Sequence, residues 1–552
     1  MPSQMSRNPN APPPIDAMSG FCPETKIYHS LRSPVPLPQE TAPLSVTDYV
    51  FSLINSFPSP PTVSALVDGD TGRRISSSQL ISRTESLASS LRRELGLRKG
   101  DAAYILAPNS VNIPILYLSL LSLGVVLSPA NPASSEREIL HQLQLSKPRI
   151  AFATSAVAHK IPPTIKIVLL DSLEFESLAA ETRSGESEPR TSVSQSDPAA
   201  ILYSSGTTGA TKGVILTHRN FTYTVALGHA VRTARKTPAV VLATVPFFHV
   251  YGFVFAVRAV ALGETLVSME RVEMRKMLKA IEDHRITHVA AAPPLVVAMV
   301  KADRKVVDGY DLSSLEVVAC GGAPLGRDVA AQLTARFPGV SLVQAYGLTE
   351  STGRVFSTVG PTESKVGGAT GKLTPETEAK IVDPETGIPL PPGKAGEIWV
   401  RGPSIMKGYV GDEEATARTL DAEGWLKTGD LCYIDDEGFL FVVDRIKELI
   451  KCRGYQVAPS ELEHLLVSHP DILEAAVVPL PDERAGQVPI AFVVRQNGST
   501  ISELQVKEYI AKQVAPYKRL HRVLFTESLP KNAQGKLLRK DLTRLAMSPA
   551  KL

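Results

Sequence analysis

The sequence predicts an α/β protein: a large N-terminal domain of α/β subdomains plus a β-rich subdomain, followed by a small C-terminal α+β domain. Three observations predict it. Apolar helices alternate with short strands from about residue 45 to 170, and again from the strand before Tyr203 to Gln344. After about residue 365 the texture turns β-rich, with runs such as 396–401 alternating apolar and polar positions. Past residue 446 a compact module carries two helix starts and two apolar strands. A chain of 552 residues is too long for one ordinary core, so two or more domains are required.

Taken in order, residues 1–20, with Pro9 and Pro12 to Pro14, read as a disordered tail. The N-terminal domain is placed at 21–444 and the C-terminal domain at 445–552. Residues 84–97 carry Leu87, Leu91 and Leu95 at helical spacing. Residues 102–106 read as a strand, and 113–126 as a helix running into a buried strand, too short to span a bilayer. Residues 172–197, rich in Ser, Glu, Thr and Arg, read as a solvated connection. Met274, Met277, Leu278 and Ile281 form a helical stripe of core residues. Residues 317–320, a helix through Val329, Leu333 and Phe337, and residues 340–344 read as a βαβ unit, whose turns after Cys320 and Gln344 should face a site. Residues 379–383, 396–401 and the hairpin 431–434/439–443 read as strands. In the last module, Ser460 with Glu463 and Ser502 with Gln505 have capping-box spacing, and 475–478 and 490–494 are strands. A domain boundary is placed at 444–447.

Composition narrows the function. Hydrophobic content of 43% with 21% charged residues is that of a globular protein. A net charge of +3 gives no electrostatic case for nucleic acid or an acidic membrane surface. Cys22, Cys320, Cys432 and Cys452 are scattered without metal-ligand spacing and read as reduced thiols of an intracellular protein. The first twenty residues have no apolar segment of a secretory signal.

The stretch Tyr203-Ser204-Ser205-Gly206-Thr207-Thr208-Gly209-Ala210-Thr211-Lys212-Gly213 carries the chemistry. Glycines let a backbone approach a ligand and turn its N–H groups inward, hydroxyls add donors, and Lys212 adds a point charge. That combination suits a polyphosphate. It is not a Walker A loop: counting from Gly206, Thr211 and Gly213 stand where a glycine and a magnesium-binding hydroxyl belong. Further candidates follow: His249 within Pro246 to Gly252, Gly321 to Leu325, Gln344 to Glu350, Thr428-Gly429-Asp430, the charged run from Asp444 to Gly454, and Pro530 to Lys536. Taken singly, each reads as easily as a turn, a cap or a solvated charged surface.

Taken together and in this order, these segments resemble the core motifs of the adenylate-forming acyl-CoA synthetase superfamily, over about residues 20–545. The match is closest to plant 4-coumarate–CoA ligase-like proteins of peroxisomal type. Their second signature box appears here as Gly396-Glu397-Ile398-Trp399-Val400-Arg401-Gly402, with Trp399 in place of the usual Cys. The resemblance implies the adenylate-forming enzyme fold with a mobile C-terminal domain. It also implies a two-step ligase: a carboxylate attacks MgATP to give an acyl-AMP, and the thiol of CoA then displaces AMP. Ser204, Ser205, Gly206, Thr207, Thr208 and Lys212 should hold the β- and γ-phosphates, and Glu350 should bind Mg²⁺. Gln344, Ala345 and Thr349 should lie along the nucleotide, with Asp430 at the ribose and Arg445 beside it. Lys536 should bridge the substrate carboxylate and the α-phosphate.

For the second step the resemblance implies rotation about 444–445, which brings in Lys447 and Lys451 toward the adenylate and Arg453, Gly454 and Arg271 toward CoA. His249 should flank the acyl and pantetheine channel, as a catalytic candidate alongside Glu350 and Lys536. Tyr251, Phe255, Ala323 and Ala345 should line the acyl pocket, where Ala345 and Phe255 are bulkier than usual. Arg354 falls where the plant ligases tend to carry Pro, and an Arg there suits a second polar end on the substrate. The expected acid is 4-coumarate or a related hydroxycinnamate. The alternatives are a fatty-acid or jasmonate-precursor ligase, and a luciferase-like oxygenase. Ala550-Lys551-Leu552 fits a peroxisomal address, so the import receptor is an expected partner.

Overall fold

A computed structural model describes residues 14–56, 63–180, 191–205, 211–232, 235, 237–531 and 537–547. Two of its sheets have parallel cores. One has nine strands and includes Val240–Ala243, His288–Ala291, Val317–Cys320 and Ser341–Leu348 side by side. The other has seven, with Ala102–Leu106, Val126–Ala130 and Pro198–Ser205 adjacent. A five-stranded antiparallel sheet contains Gly396–Arg401, Leu426–Ile434 and Leu440–Arg445. The fourth sheet draws all five of its strands from 450–525. This is the mixed architecture expected. In parallel sheets the loops beyond the strands' carboxyl ends are where polar groups collect.

The local reasons follow the sequence. The helix Asn112–Ser122 is buried on nearly every face and leads into the fully buried strand Val126–Ala130. Met277, Leu278 and Ile281 turn the inner face of the helix Met274–His284 into its own core cluster. The helix expected at 84–97 runs instead over Ser77–Arg93, because Ser76 and Gln79 form a capping box that starts it earlier. Part of the expected connection 172–197 is helical: Leu173–Leu178 buries Phe175 and Leu178 behind an N-cap from Ser172. Order also begins sooner than residue 21. Asp16 accepts from the Ser19 N–H at 2.7 Å and its carbonyl accepts from the Gly20 N–H, closing a turn against the β-rich sheet near Gly438.

Ser502 and Gln505 form the expected capping box, but Ser460 and Glu463 do not. Pro459 opens that helix, Pro459–Ser468, and frees Ser460 for another use. The Ser460 hydroxyl donates to the Val443 carbonyl at 2.6 Å and its N–H to Asp444 at 2.9 Å. Glu463 accepts from the Val477 N–H and pairs with Arg539, which also pairs with Glu448 at 2.7 Å. Residues that read as a helix-start signal thus tie the fourth sheet to the end of the third. The four cysteines are buried and unpaired, and burial pushes the Cys320 thiol up to about 12.

Candidate active site

The phosphate-binding candidate is the end of a β-hairpin. Pro198–Ser205 pairs antiparallel with Thr211–Thr217, in a register that sets Ser204 opposite Lys212. Gly206, Thr207, Thr208 and the side chain of Ser205 lie outside the described residues. The Ser204 hydroxyl is buried with no hydrogen-bond partner among the described residues, as expected of a group awaiting a ligand. Gly408–Tyr409 adds as a third strand, Tyr409 opposite Val214. That pairing lays the Tyr409 ring under Lys212, whose Nζ lies 4.4 Å from the ring centre. The Tyr409 hydroxyl donates to Glu350 Oε1 at 3.0 Å. The Met406 N–H donates to the Glu350 carbonyl at 2.8 Å, fixing the backbone as well. Burial first, and then the Glu350 charge, push the Tyr409 phenol above its ordinary range, so it stays a donor. Thr349 and Glu350 ride on a single 3₁₀ turn at the end of Ser341–Leu348, held by Ser351, whose hydroxyl donates to the Gly353 carbonyl at 2.7 Å. Lys212 and Glu350, 138 residues apart, are thereby brought together.

A second cluster forms where Asp430 and Arg445 face each other across the hairpin of Leu426–Ile434 and Leu440–Arg445. Arg445 Nε is 3.1 Å from Asp430 Oδ1, and the Tyr346 hydroxyl donates to Asp430 Oδ2 at 2.8 Å. Burial works against the Arg445 charge, but Asp430 and Glu448, with Glu350 further out, outweigh it and hold its pKa above the usual value. Tyr346, raised well above the phenol range by burial and by Asp430, also remains protonated. Gln344 and Ala345 lie on the strand that carries Tyr346, with the Gln344 N–H donated to Thr358 at 3.0 Å.

Among the described residues no three His, Cys, Asp or Glu side chains gather as a metal cage. Glu350 is one carboxylate of the kind that would hold Mg²⁺ brought in with a nucleotide.

A family model described as AMP-binding enzyme matches residues 56–410, and one described as AMP-binding enzyme C-terminal domain matches 461–536. The chain belongs to the AMP-binding enzyme family. This AMP-binding enzyme is 50% identical over 548 residues to the Arabidopsis thaliana protein named 4-coumarate–CoA ligase-like 9, with 97% of each chain covered. It is 45% identical over 550 residues to peroxisomal OPC-8:0-CoA ligase 1 of the same plant, covering 98% of this chain and 100% of that one. ATP-bound MatB from Rhodopseudomonas palustris shares its fold with a TM-score of 0.80 at 28% identity, covering 92% of this chain and 100% of that one. The protein is an acid–thiol ligase of the AMP-forming type, with the adenylate-forming fold.

The remaining expected residues of this AMP-binding enzyme are spread more widely. His249 caps the helix Val250–Ala261 by accepting the Tyr251 N–H on Nδ1 at 3.3 Å, which leaves the proton of the neutral ring on Nε2. Tyr251 and Phe255 follow on that helix, edge to face with centres 6.3 Å apart. The Tyr251 hydroxyl donates to the Ala319 carbonyl at 2.8 Å, and its ring borders Gly321. Ala323 is exposed on the turn after Val317–Cys320.

Arg271 is exposed ahead of Met274–His284. Lys447 lies on a 3₁₀ turn, and Lys451, Arg453 and Gly454 on the hairpin of Ile450–Cys452 and Tyr455–Val457. Lys447, Lys451 and Arg453 are exposed. No hydrogen bond or ion pair among the described residues joins Lys451, Arg453 or Gly454 to the Glu350 cluster; the backbone N–H of Lys451 is donated to Gln487 and that of Arg453 to the Ala485 carbonyl. Lys536 and Ala550, Lys551 and Leu552 lie outside the described residues. Sequence reading did not single out Tyr409 or Tyr346 as site residues. Tyr346 falls inside the Gln344 to Glu350 segment, whereas nothing local marks Tyr409, seven residues past Gly402.

Proposed function

We propose that this ligase makes an acyl-AMP and then an acyl-CoA at the cluster of Lys212, Tyr409, Glu350, Asp430 and Arg445. In the first step a substrate carboxylate oxygen attacks the α-phosphorus of ATP, the bond to the β-phosphate breaks, and pyrophosphate leaves. In the second, the sulfur of CoA attacks the acyl carbon, AMP leaves with the bridging oxygen, and the thiol proton passes to solvent. Positioning and charge neutralisation carry such chemistry. Ser204, Ser205, Gly206, Thr207, Thr208 and Lys212 meet the β- and γ-phosphates. Glu350 would hold Mg²⁺, which when bound with ATP offsets the charge of the phosphate oxygens. Gln344, Ala345 and Thr349 run along the nucleotide. Asp430 accepts from the ribose hydroxyls, with Arg445 and Tyr346 fixing its two oxygens. Lys536 draws two anions together in the first step. Rotation of the segment from 445 onward then exchanges it for Lys447, Lys451, Arg453 and Gly454, with Arg271 meeting CoA. The single observation that supports this reading best is the meeting of Lys212 and Glu350 on the two faces of Tyr409's contacts, ring and hydroxyl.

The acid is hydrophobic, entering past His249, Tyr251 and Phe255. One reading is 4-coumarate or a related hydroxycinnamate. The other, a fatty acid or jasmonate precursor, is favoured by the similarity to the relative named an OPC-8:0-CoA ligase. Pyrophosphate release against a panel of acids, with and without CoA, separates them: release with coumarate and not with medium-chain acids selects the first, the converse selects the second, and none with any acid refutes the ligase. The similarity to a relative named peroxisomal supports import into peroxisomes, and Ala550-Lys551-Leu552 is the address to test. A fluorescent reporter ending in this tripeptide and staying in the cytosol would refute that location.

A further inference from the structure

The helix Val250–Ala261 is buried except for three residues, Tyr251, Val254 and Arg258. At spacings of three and four they form one stripe along the helix. The stripe faces the start of the strand Gly353–Ser357: Val254 Cγ2 lies 3.9 Å from where a Cβ on Gly353 would stand. That strand pairs with Ser341–Leu348, setting Arg354 opposite Gly347, on the stretch leading to Thr349 and Glu350. Arg354, like Tyr251, keeps some accessible surface although protein surrounds it. Both are therefore half-buried, with surface left for a ligand to meet.

Three arginines converge there, and two have a carboxylate partner. Arg258 pairs with Glu264 at 2.9 Å and covers the Phe255 ring. Arg32 pairs with Glu363 at 2.7 Å and also donates to the Ser357 carbonyl. Arg354 has neither a carboxylate nor a hydrogen-bond acceptor among the described residues. The two phenols nearest in charge are engaged elsewhere: Tyr251 donates to Ala319 and Tyr223 to Pro375. Burial pulls the Arg354 guanidinium down to about 10, and its two arginine neighbours press the same way, yet it remains charged at neutral pH. A half-buried cation with no protein partner among the described residues and some surface still open is a ready site for an acceptor.

We propose that Arg354 reads the far end of the acyl substrate: the acid carries an acceptor oxygen, a second carboxylate or a carbonyl, remote from the carboxylate that is adenylated. This rests on the ligase reading above, with Tyr251 and Phe255 along the acyl path. From Tyr251 to Arg258 the helix advances about 10 Å, the scale of a medium-length acid. A guanidinium offers a carboxylate two parallel N–H donors and a ketone one, so either oxygen group is matched and an alkyl end is not.

The test compares kcat/KM for pyrophosphate release with octanoate, 7-oxooctanoate and octanedioate, and with cinnamate and 4-carboxycinnamate. The wild-type enzyme is expected to favour at least one oxygen-ended acid over its matched parent by tenfold or more, and which one it favours distinguishes carbonyl from carboxylate. Arg354→Met should cut that ratio at least tenfold while leaving the parent acid unchanged or improved, and Arg354→Lys should restore part of it. A wild-type preference for the parent acids overturns the proposal, as does an equal loss for all acids in Arg354→Met. If Arg354→Met does not fold, the wild-type ratio and Arg354→Lys decide. Turnover without preference overturns this inference alone; no turnover of any acid removes the ligase reading and this inference with it.

Discussion

At Glu350 one carboxylate oxygen is already held by Tyr409, and the other has no hydrogen bond among the described residues. The same phenol ring meets Lys212, so one residue sets the spacing between the cation and the anion that the proposed reaction brings to a nucleotide. A hydrogen bond to a charged group contributes about 1.5–3 kcal/mol. Tyr409→Phe keeps the ring and loses this bond. It should lower kcat/KM for pyrophosphate release roughly tenfold, with a raised requirement for Mg²⁺. An unaltered Mg²⁺ titration would contradict that role. Glu350 and Lys212 were legible from the sequence because each lies in a motif with recognisable neighbours. Tyr409 was not, since its importance comes from a strand pairing that brings Val214 opposite it.

Among the elements, the pair Ser341–Leu348 and Gly353–Ser357 decides most, because it carries Gln344, Ala345 and Arg354 and is joined by the Thr349–Ser351 turn. The irregularity in their register falls between Tyr346 and Gly347. A Cβ on Gly347 would stand 1.8 Å from the Gly353 carbonyl oxygen, a backbone atom with no room to yield. Gly347→Ala should therefore destabilise the protein by about 3 kcal/mol, the upper end for overpacking, and abolish activity. A denaturation midpoint equal to wild type would show that the strands can part without cost. The helix Val250–Ala261 is confined in the same way: a Cβ on Gly252 would lie 2.0 Å from the Pro246 carbonyl oxygen. This close approach lies one residue from Tyr251 and three from the His249 cap. The boundaries that the sequence misplaced were set by caps and contacts. Ser76 began a helix early, and Ser460 left its cap to bond with Val443.

For the whole molecule the joint at 443–460 matters most. Burial raises the Asp444 carboxyl, while the N–H groups of Ser460 and Arg445 hold its charge. Ser460→Ala removes the bond to Val443, worth about 1 kcal/mol, and should speed proteolysis between 445 and 458 without changing overall helix content; equal cleavage rates would contradict it. Lys536→Ala should reduce pyrophosphate release at least a hundredfold and largely spare CoA thioester formation from a supplied acyl-AMP. Equal loss of both steps would remove the exchange of lysines.

Stability should also fall in acid. His218 is fully buried and accepts the Val46 N–H on Nδ1 at 3.1 Å, and burial, partly offset by Asp197, lowers its pKa to about 4. The unfolded imidazole, near 6.5, takes a proton first. Stability is thus complete above about 6.5, declines as pH falls toward 4, and levels below that. The loss attributable to His218 reaches about 3 kcal/mol. Urea midpoints at pH 7.5 and 4.5 measure it, and His218→Asn should flatten the difference; a pH-independent midpoint would contradict it.

By itself the sequence determined the family, the order of the motifs and most elements, because periodicity, caps and glycine-rich turns are local properties of a chain. The tertiary structure alone decided which charges have partners. Glu264 answers Arg258, Glu363 answers Arg32, and Asp430 answers Arg445, while Arg354 is left without a carboxylate among the described residues. Pairing depends on where the folded chain sets each charge, whether the partner is six residues away, as for Arg258 and Glu264, or 331, as for Arg32 and Glu363, and no spacing along the chain encodes it.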